Sequence, residues 1–176
     1  YPFSCPMQHL TQEDQGWRKN KALNEAIRRS RYPYLIFIDG DCVLHPKFVE
    51  HHQDLAHDKR ILAGKRVKLG EQYSLQLMQG EVNTFAQQYL QHYKAIRHDG
   101  GKFCEEGIVV PKNCVSIWLI RQLGISSIKG CNFSCYKEAL EAINGFDEDY
   151  TLPAIGEDID LVWRFKGLGY QISSIK

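Results

Sequence analysis

The sequence predicts an α/β fold: one domain of 176 residues with a mixed, mostly parallel central sheet flanked by helices. Short apolar runs of strand length alternate along the chain with longer segments of helical periodicity. The composition, 43% hydrophobic and 24% charged, is that of a globular chain with its own core. No internal repeat or low-complexity linker divides the chain.

The first part of the chain is expected to contain two helices and two strands. In the first helix Leu23 and Ile27 lie four residues apart, with charged residues on the other faces. The apolar run 34–39 is continuous, which indicates a strand buried on both faces, as in a parallel sheet. Pro46 is expected to stand at the start of the second helix. The stretches that contain these elements are, in order, residues 12–30, 34–39, 45–56 and 61–70.

The middle of the chain, about residues 70–128, is expected to be a variable helical region. Within it, residues 71–97 carry apolar and aromatic side chains at helical spacings, which indicates core packing. Residues 126–145 follow as a short strand, a turn and a helix that Gly145 closes. The last expected elements are a helix within residues 156–170, which opens on acids, and a strand over residues 170–175.

Charge, cysteine and hydropathy patterns exclude several classes of protein. The formal net charge is +1 with acids and bases mixed, so a nucleic-acid-binding surface is not indicated. The six cysteines are expected to be reduced, and Cys131 and Cys135 lack the second pair that a zinc site needs. The seven histidines are scattered without metal-site spacing. No segment has the ~20 apolar residues that span a bilayer.

Two acids follow the first apolar strand, in the stretch "YLIFIDGDCVLHP". Asp39 and Asp41 stand at the carboxyl end of that strand, where α/β sheets bind ligands, and Gly40 between them allows a close approach. Hard oxygen ligands suit Mg²⁺ or Mn²⁺, which keep open positions for phosphate oxygens. The pattern therefore predicts a divalent-metal site that binds a phosphorylated substrate. The residues alone leave a solvated turn as an equal alternative.

A second acidic group, Glu157, Asp158 and Asp160, stands at the start of the last predicted helix. Carboxylates at this position stabilise the positive end of the helix dipole, so capping alone would explain them. A carboxylate held at a helix end near a cleft is also suited to act as a general base. These residues by themselves leave both roles open.

Four stretches together resemble the glycosyltransferases of family 2. In chain order they are "EDQGWRKNKALNEAI", "YLIFIDGDCVLHPKFV", "GCNFSCYKEALEAINGFDEDY" and "GEDIDLVWRF". The resemblance implies the GT-A fold in a single domain over residues 1–176, with the middle region, about 70–128, on the acceptor side. It also implies transfer of a sugar from a nucleotide-sugar donor to an acceptor hydroxyl, with inversion at the anomeric carbon.

The resemblance assigns roles to particular residues. Asp39 and Asp41 match the family's D-x-D motif, which holds Mn²⁺ or Mg²⁺ on the donor diphosphate. Asp158 matches the catalytic base, with Glu157 beside it. The remaining matches concern donor binding: Gly130 and Asn132 in a turn that lines the donor sugar, and Arg18 and Asn20 at the helix start that faces the nucleotide.

The resemblance also implies partners and a setting. The donor is expected to be a UDP-sugar and the acceptor a saccharide or lipid-linked saccharide, in surface polysaccharide or glycoconjugate synthesis. The expected location is the cytoplasm, either free or peripherally associated at the inner face of the membrane. The family's two opening strands, which hold the nucleoside, have no counterpart before Tyr1. We therefore expect a chain truncated at its N-terminus that binds donor weakly.

Two other functions fit parts of the pattern. The stretch "IFIDGDCV" also resembles the motif of haloacid-dehalogenase-type phosphatases, in which Asp39 would be the phosphorylated nucleophile and Asp41 the acid/base. That motif normally lies on a first strand, whereas a basic amphipathic helix precedes it here and His45 and Pro46 follow. The other alternative is a non-catalytic nucleotide- or carbohydrate-binding module. A metal-dependent p-nitrophenyl phosphate assay would distinguish a phosphatase from a glycosyltransferase. A nucleotide-sugar turnover assay would distinguish a non-catalytic binding module from a glycosyltransferase.

Overall fold

The computed structural model describes residues 5–80, 88–108, 128–152 and 156–175, which form six α-helices, one 3₁₀ turn and a four-stranded sheet. The helices are α1 (Lys19–Arg29), α2 (Phe48–Asp54), α3 (Glu71–Met78), α4 (Tyr89–His98), α5 (Lys137–Ala142) and α6 (Glu157–Gly167). The strands are β1 (Tyr34–Ile38), β2 (Arg60–Ala63), β3 (Asn132–Tyr136) and β4 (Gln171–Ser174), and the 3₁₀ turn is Cys104–Gly107.

The described sheet is mixed, and its strands follow the order β1-β3-β2-β4. The strand β3 is antiparallel to both of its neighbours, with Tyr34 opposite Tyr136 and Leu62 opposite Ser134, whereas β2 and β4 run parallel. The expectation of a mostly parallel sheet is therefore only partly supported. An apolar run shows that a strand is buried, but it carries no information on the direction of the strand beside it.

The strand β1 is less buried than its apolar sequence suggested. In the described part of the sheet it pairs with β3 alone, its residues are half-buried, and the side chain of Ile38 is 46% exposed. The prediction that this strand is covered on both faces is therefore wrong for the described chain. The apolar run shows that these side chains favour burial. Which elements cover each face of the strand depends on the rest of the fold.

The main core lies between the sheet and the helices α1, α5 and α6. Phe133 on β3 and Phe165 on α6 are both fully buried, and Ile27 brings α1 onto the same cluster. Phe37 of β1 stacks on Phe133 with ring centroids 4.4 Å apart, and Phe146 packs edge-on against both rings. This packing holds the end of β1 and the start of β3 side by side, where the candidate site residues lie.

The middle region forms a smaller cluster of its own. The helix α4 contributes Tyr89 and Ile96 and the 3₁₀ turn contributes Cys104, with Tyr73 of α3 and Tyr93 of α4 packed against them. The prediction of core packing is confirmed for Tyr89 and Tyr93 and is wrong for Leu75 and Met78, which are 51% and 84% exposed. Residues 81–87, the centre of the predicted helix, lie outside the described residues.

The turn before β3 differs from the predicted order of elements. The strand expected before the turn begins at residues 126 and 127, which lie outside the described residues, whereas the turn at Gly130 and Cys131 leads directly into β3, and α5 follows without a break. Asn132 is both the last residue of the turn, with its amide bonded to the Lys129 carbonyl, and the first residue of the strand. The prediction that Gly145 closes the helix is confirmed: its φ is 70° and its amide donates to the Leu140 carbonyl, 2.8 Å away.

The corner after α5 is fixed by a side chain of α1. Asn24 is buried; its Oδ1 accepts a hydrogen bond from the Phe146 amide at 2.8 Å, and its Nδ2 donates to the Phe146 carbonyl at 2.8 Å. A β-carbon on Gly145 would lie 2.5 Å from Asn24 Oδ1, so only glycine fits there. These contacts hold the chain that leads towards α6 against the first helix.

The cysteines in the described part of the chain are free, namely Cys5, Cys42, Cys104, Cys131 and Cys135. No disulfide joins these five to one another, the expected reduced state stays a prediction, and Cys114 lies outside the described residues. Among the described helices, none is long and apolar enough to cross a membrane.

Candidate active site

The first carboxylate of the site lies where β1 ends and faces the start of α1. Asp39 follows the last residue of β1, and its Oδ1 accepts a hydrogen bond from the Nζ of Lys19, the first residue of α1, at 2.7 Å. Both side chains are about one-third exposed, at 31% and 34%. The ammonium group therefore neutralises the carboxylate at a position that solvent and ligands can reach.

The second carboxylate belongs to the first turn of α6. Gly156, with φ of 80°, precedes the helix, and Asp158 is the second residue of the helix. Its Oδ2 accepts a hydrogen bond from the backbone amide of Gly130, 3.1 Å away, in the turn before β3. Asp158 thus binds a different element of the fold, which capping of its own helix does not explain.

These residues form one cluster, although they are far apart in the sequence. A β-carbon placed on Gly130 would lie 3.1 Å from Asp158 Oδ1 and 3.8 Å from Lys19 Nζ. A side chain at this position would crowd the Asp158 carboxylate by a few tenths of an ångström, so the two charged groups approach the backbone of Gly130 closely. We call Lys19, Asp39, Gly130 and Asp158 the carboxylate cluster. The sequence resemblance named Asp39, Gly130 and Asp158 as site residues. At the start of α1 it named Arg18 and not Lys19.

The electrostatics of the cluster favour proton uptake by Asp158. Burial raises the pKa of the Asp158 carboxyl above its ordinary value, and the neighbouring Glu157 and Asp39 carboxylates raise it further. The Gly130 amide and the Lys19 ammonium act in the opposite direction, because both stabilise the charged form. A carboxylate with a raised pKa is a better proton acceptor than an ordinary surface aspartate.

The other acids of this helix start have different surroundings. One oxygen of Glu157, Oε2, is buried without a hydrogen-bond partner among the described residues. Asp160 forms a close ion pair with Arg164, one turn further along α6, and Arg164 in turn donates to the carbonyls of Ile143 and Gly145. Asp160 therefore contributes to the packing of α6.

The two residues expected at the nucleotide, Arg18 and Asn20, have different surroundings. Arg18 is exposed, and its Nε donates to the Gln15 carbonyl at 3.3 Å. Asn20 is buried, and its Nδ2 donates to the Asp147 carbonyl at 2.6 Å. The side-chain donor of Asn20 is thus committed within the protein. At this helix start it is Lys19 that reaches the carboxylate cluster.

Asn132 belongs to a buried polar network that the sequence did not indicate. Its Nδ2 donates to the Lys65 carbonyl at 3.0 Å, and its Oδ1 lies 3.2 Å from Nε2 of His52. The other ring nitrogen of His52 lies 2.7 Å from Ser134 Oγ, which is itself 2.7 Å from the hydroxyl of Tyr34. The scattered histidines gave no spacing signal, so only the fold reveals that His52 belongs here.

Asp39 and Asp41 can hold a divalent cation only if a bound molecule supplies further ligands to it. Asp41 is exposed in the turn after β1, and the thiol of Cys42 lies 3.8 Å from its Oδ1. In the described part of the chain, no three His, Cys, Asp or Glu side chains are grouped as a metal cage. Magnesium bound to substrate phosphates commonly uses one or two carboxylates, so Asp39 and Asp41 match that donor set.

Comparison with known families covers nearly the whole chain. Residues 7–121 match the family model described as "Glycosyl transferase family 2", and residues 117–176 match the model described as "N-terminal domain of galactosyltransferase". A search of curated proteins finds no match. The two matched ranges contain Asp39 and Asp158 respectively, so the cluster joins residues from both. The haloacid-dehalogenase-type phosphatase interpretation has no support from these comparisons.

The family assignment explains the observed architecture. Family 2 domains have the GT-A fold, an α/β arrangement, and they imply a nucleotide-sugar donor and an acceptor. Three of the residues named from the family resemblance, Asp39, Gly130 and Asp158, lie in the carboxylate cluster beside the end of β1 and the start of α6. The chain belongs to glycosyltransferase family 2.

Proposed function

We propose that the domain transfers a hexosyl group from a UDP-sugar to an acceptor hydroxyl with inversion at the anomeric carbon, assisted by Mn²⁺ or Mg²⁺. The observation that carries this proposal is the carboxylate cluster, in which Asp158 is held by the Gly130 amide at 3.1 Å and Lys19 links the cluster to Asp39 at 2.7 Å. In this proposal Asp39 would bind a cation on the donor and Asp158 would take the acceptor proton.

Asp39 and Asp41 would hold the cation together with oxygens of the donor diphosphate. A bound divalent cation supplies Lewis acidity that neutralises charge on the departing nucleoside diphosphate. Lys19 already balances the charge of Asp39, with Nζ 2.7 Å from Oδ1, and its flexible ammonium is a suitable point charge for a phosphate. Lys19 would therefore interact with the diphosphate as a point charge, and Asp39 and Asp41 would interact with it through the bound cation.

Asp158 would accept the proton of the acceptor hydroxyl. The Gly130 amide binds Oδ2, so Oδ1 is the oxygen left to receive a proton. Burial raises the pKa of Asp158, which suits a general base, while the amide and Lys19 keep its charged form accessible. Glu157, with one buried and unpartnered oxygen beside it, is the second catalytic candidate.

The setting that we propose is surface polysaccharide or glycoconjugate synthesis in the cytoplasm or at the inner face of the membrane, with a saccharide or lipid-linked saccharide as acceptor. The support is the family resemblance of the sequence motifs. The second family model is named for galactosyltransferase, so UDP-galactose is the first donor to assay.

The proposal is tested by following the anomeric carbon. The protein is incubated with UDP-galactose and other UDP-hexoses, Mn²⁺ and a panel of mono- and oligosaccharide acceptors, and the product is examined by proton NMR. We expect a product with the configuration opposite to that of the donor, formed only when a divalent cation is present. A product that retains the donor configuration, or equal rates in excess EDTA, would overturn the mechanism.

A further inference from the structure

A chain of buried polar groups crosses the sheet beside the carboxylate cluster and has no role in the proposed chemistry. It runs from the hydroxyl of Tyr34 to Ser134 Oγ, then to the ring of His52 and the side chain of Asn132. It ends at the Lys65 carbonyl, which accepts from Asn132 Nδ2 at 3.0 Å. His52 is fully buried, and Ser134 is fully buried beside it.

The direction of every hydrogen bond in this chain follows from the chemistry of its members. Asn132 donates through Nδ2 to a carbonyl, so its Oδ1 faces His52 and can only accept. Nε2 of His52 must therefore carry the ring proton, and Nδ1 is left as an acceptor for the Ser134 hydroxyl. Ser134 then accepts from the hydroxyl of Tyr34. Burial lowers the pKa of His52 to about 4, in keeping with this neutral ring.

Asn132 is clamped on its main chain as well as its side chain. Its amide donates to the Lys129 carbonyl at 2.9 Å, which closes the turn with Gly130 and Cys131 at its corners. Its carbonyl accepts from the Gly64 amide at 2.9 Å. A β-carbon on Gly64 would lie 2.1 Å from Asn132 Nδ2, so the backbone of Gly64 closes off that side of Asn132.

The clamp on Asn132 governs the amide that holds Asp158. Gly130 lies two residues before Asn132 in the same turn, and its N–H points at Asp158 Oδ2. Asn132 closes the turn that carries Gly130, so the side-chain bonds from Asn132 to His52 and to the Lys65 carbonyl help to fix that turn. His52 itself is on α2, the helix that follows the Asp39 and Asp41 turn, and the ring of Phe48 packs against it with centroids 4.5 Å apart.

We propose that His52 is a positioning residue: its neutral ring, protonated on Nε2, locks Asn132 and so holds the Gly130 amide against the Asp158 carboxylate. The inference rests on the proposed role of Asp158 as the general base. The positioning itself is a property of the protein without substrate, so it is measured separately from turnover.

The direct test is nitrogen NMR of the imidazole in the wild-type protein. At pH 7 we expect the His52 ring to be neutral with its proton on Nε2. A ring that is protonated on Nδ1, or charged at pH 7, would overturn the assignment without any mutation.

The second test compares variants by the pKa of Asp158, measured from its carboxyl carbon. His52→Leu removes both ring hydrogen bonds, and His52→Gln keeps one donor and one acceptor. With the Gly130 bond weakened, the Asp158 pKa should rise further in His52→Leu and stay near the wild-type value in His52→Gln. His57→Leu, on an exposed histidine outside the network, is the matched control and should leave it unchanged. Ser134→Ala gives a milder form of the same shift and serves if His52→Leu does not fold.

Turnover of the same variants with UDP-galactose and Mn²⁺ completes the test. Loss of an outer partner of a functional group typically lowers activity about 10- to 100-fold, and here the loss should fall on kcat with KM little changed. An unchanged Asp158 pKa in His52→Leu and Ser134→Ala overturns the positioning role, whatever Asp158→Asn does. If the Asp158 pKa shifts in the His52 and Ser134 variants but Asp158→Asn remains active, the positioning role stands and the proposed general base is overturned.

Discussion

The Nζ of Lys19 lies 2.7 Å from Oδ1 of Asp39, and this contact joins the first residue of α1 to the residue that follows β1. Twenty residues separate the two in the chain. The same ammonium group lies near Asp158, whose pKa it lowers. Lys19 is therefore the cation shared by the two carboxylates to which we assign metal binding and proton transfer.

Replacing Lys19 should change the site more than the stability of the fold. Because both partners are about one-third exposed, at 34% and 31%, their ion pair contributes roughly 0–1 kcal/mol. In Lys19→Met the Asp158 pKa should rise, since a favourable cation is lost, and Mn²⁺-UDP affinity should fall. Calorimetry and carboxyl NMR measure the two effects. Arg28→Met is the control, and an equal loss of affinity in Lys19→Met and Arg28→Met would contradict a specific role of Lys19 at the site.

Asp158→Asn tests the general base. The amide keeps the size of the carboxylate but cannot take a proton, so kcat should fall by about 10²- to 10⁴-fold. Donor affinity, measured by calorimetry with Mn²⁺-UDP, should remain close to that of the wild type. Asp160→Asn is the matched control on the same helix: it weakens the ion pair with Arg164 and should lower thermal stability while kcat stays within a few-fold. If Asp158→Asn retains wild-type kcat, Glu157 becomes the candidate.

Asp41→Asn tests the metal assignment. Asp41 is exposed in the turn after β1, so its replacement should leave the melting temperature almost unchanged. If Asp41 binds the cation on the donor, calorimetry should show loss of the Mn²⁺-dependent part of UDP binding. Asp58→Asn, on a surface carboxylate with a side chain that is 79% exposed, is the control. Unaltered Mn²⁺-UDP affinity in Asp41→Asn would remove Asp41 from the metal site.

The buried ring of His52 predicts acid sensitivity. Burial lowers its pKa to about 4 in the folded protein, against about 6.5 in an unfolded chain. The unfolded state therefore binds more protons between these values. The stability from the neutral ring is complete above about pH 6.5 and is lost as the pH falls towards 4. The loss should total roughly 2 to 4 kcal/mol. Urea unfolding at pH 7.5 and 4.5 measures it, and in His52→Gln this part of the pH dependence should disappear.

Asn24→Ala tests the corner that leads towards α6. The substitution leaves the buried amide and carbonyl of Phe146 without their partner, and such unsatisfied groups cost about 1–3 kcal/mol each. We expect a loss of roughly 2 to 4 kcal/mol in the free energy of unfolding, measured in urea. Gln15→Ala, on an exposed residue before α1, should be nearly neutral. A variant as stable as the wild type would show that this corner is held by other contacts.

The sequence alone determined the α/β class, the places of α1, β1, α6 and β4, and the acids Asp39 and Asp158. Helical and strand periodicities are local, so they survive without knowledge of the fold. The D-G-D motif at 39–41 and the E-D motif at 157–158 are local patterns too, and the family resemblance assigned both to one site. The prediction erred where it depended on neighbouring strands and helices, namely in the direction of β3 and in the cover over β1.

The tertiary structure alone decided which side chains complete the site. Lys19 was one of several basic residues at a helix start, and only the fold, which brings the start of α1 close to the end of β1, places it at Asp39. His52 had no signal in the sequence, because its partners Asn132 and Ser134 lie about 80 residues away. A contact between distant segments depends on the register and packing of the whole sheet, and local patterns carry no information on either.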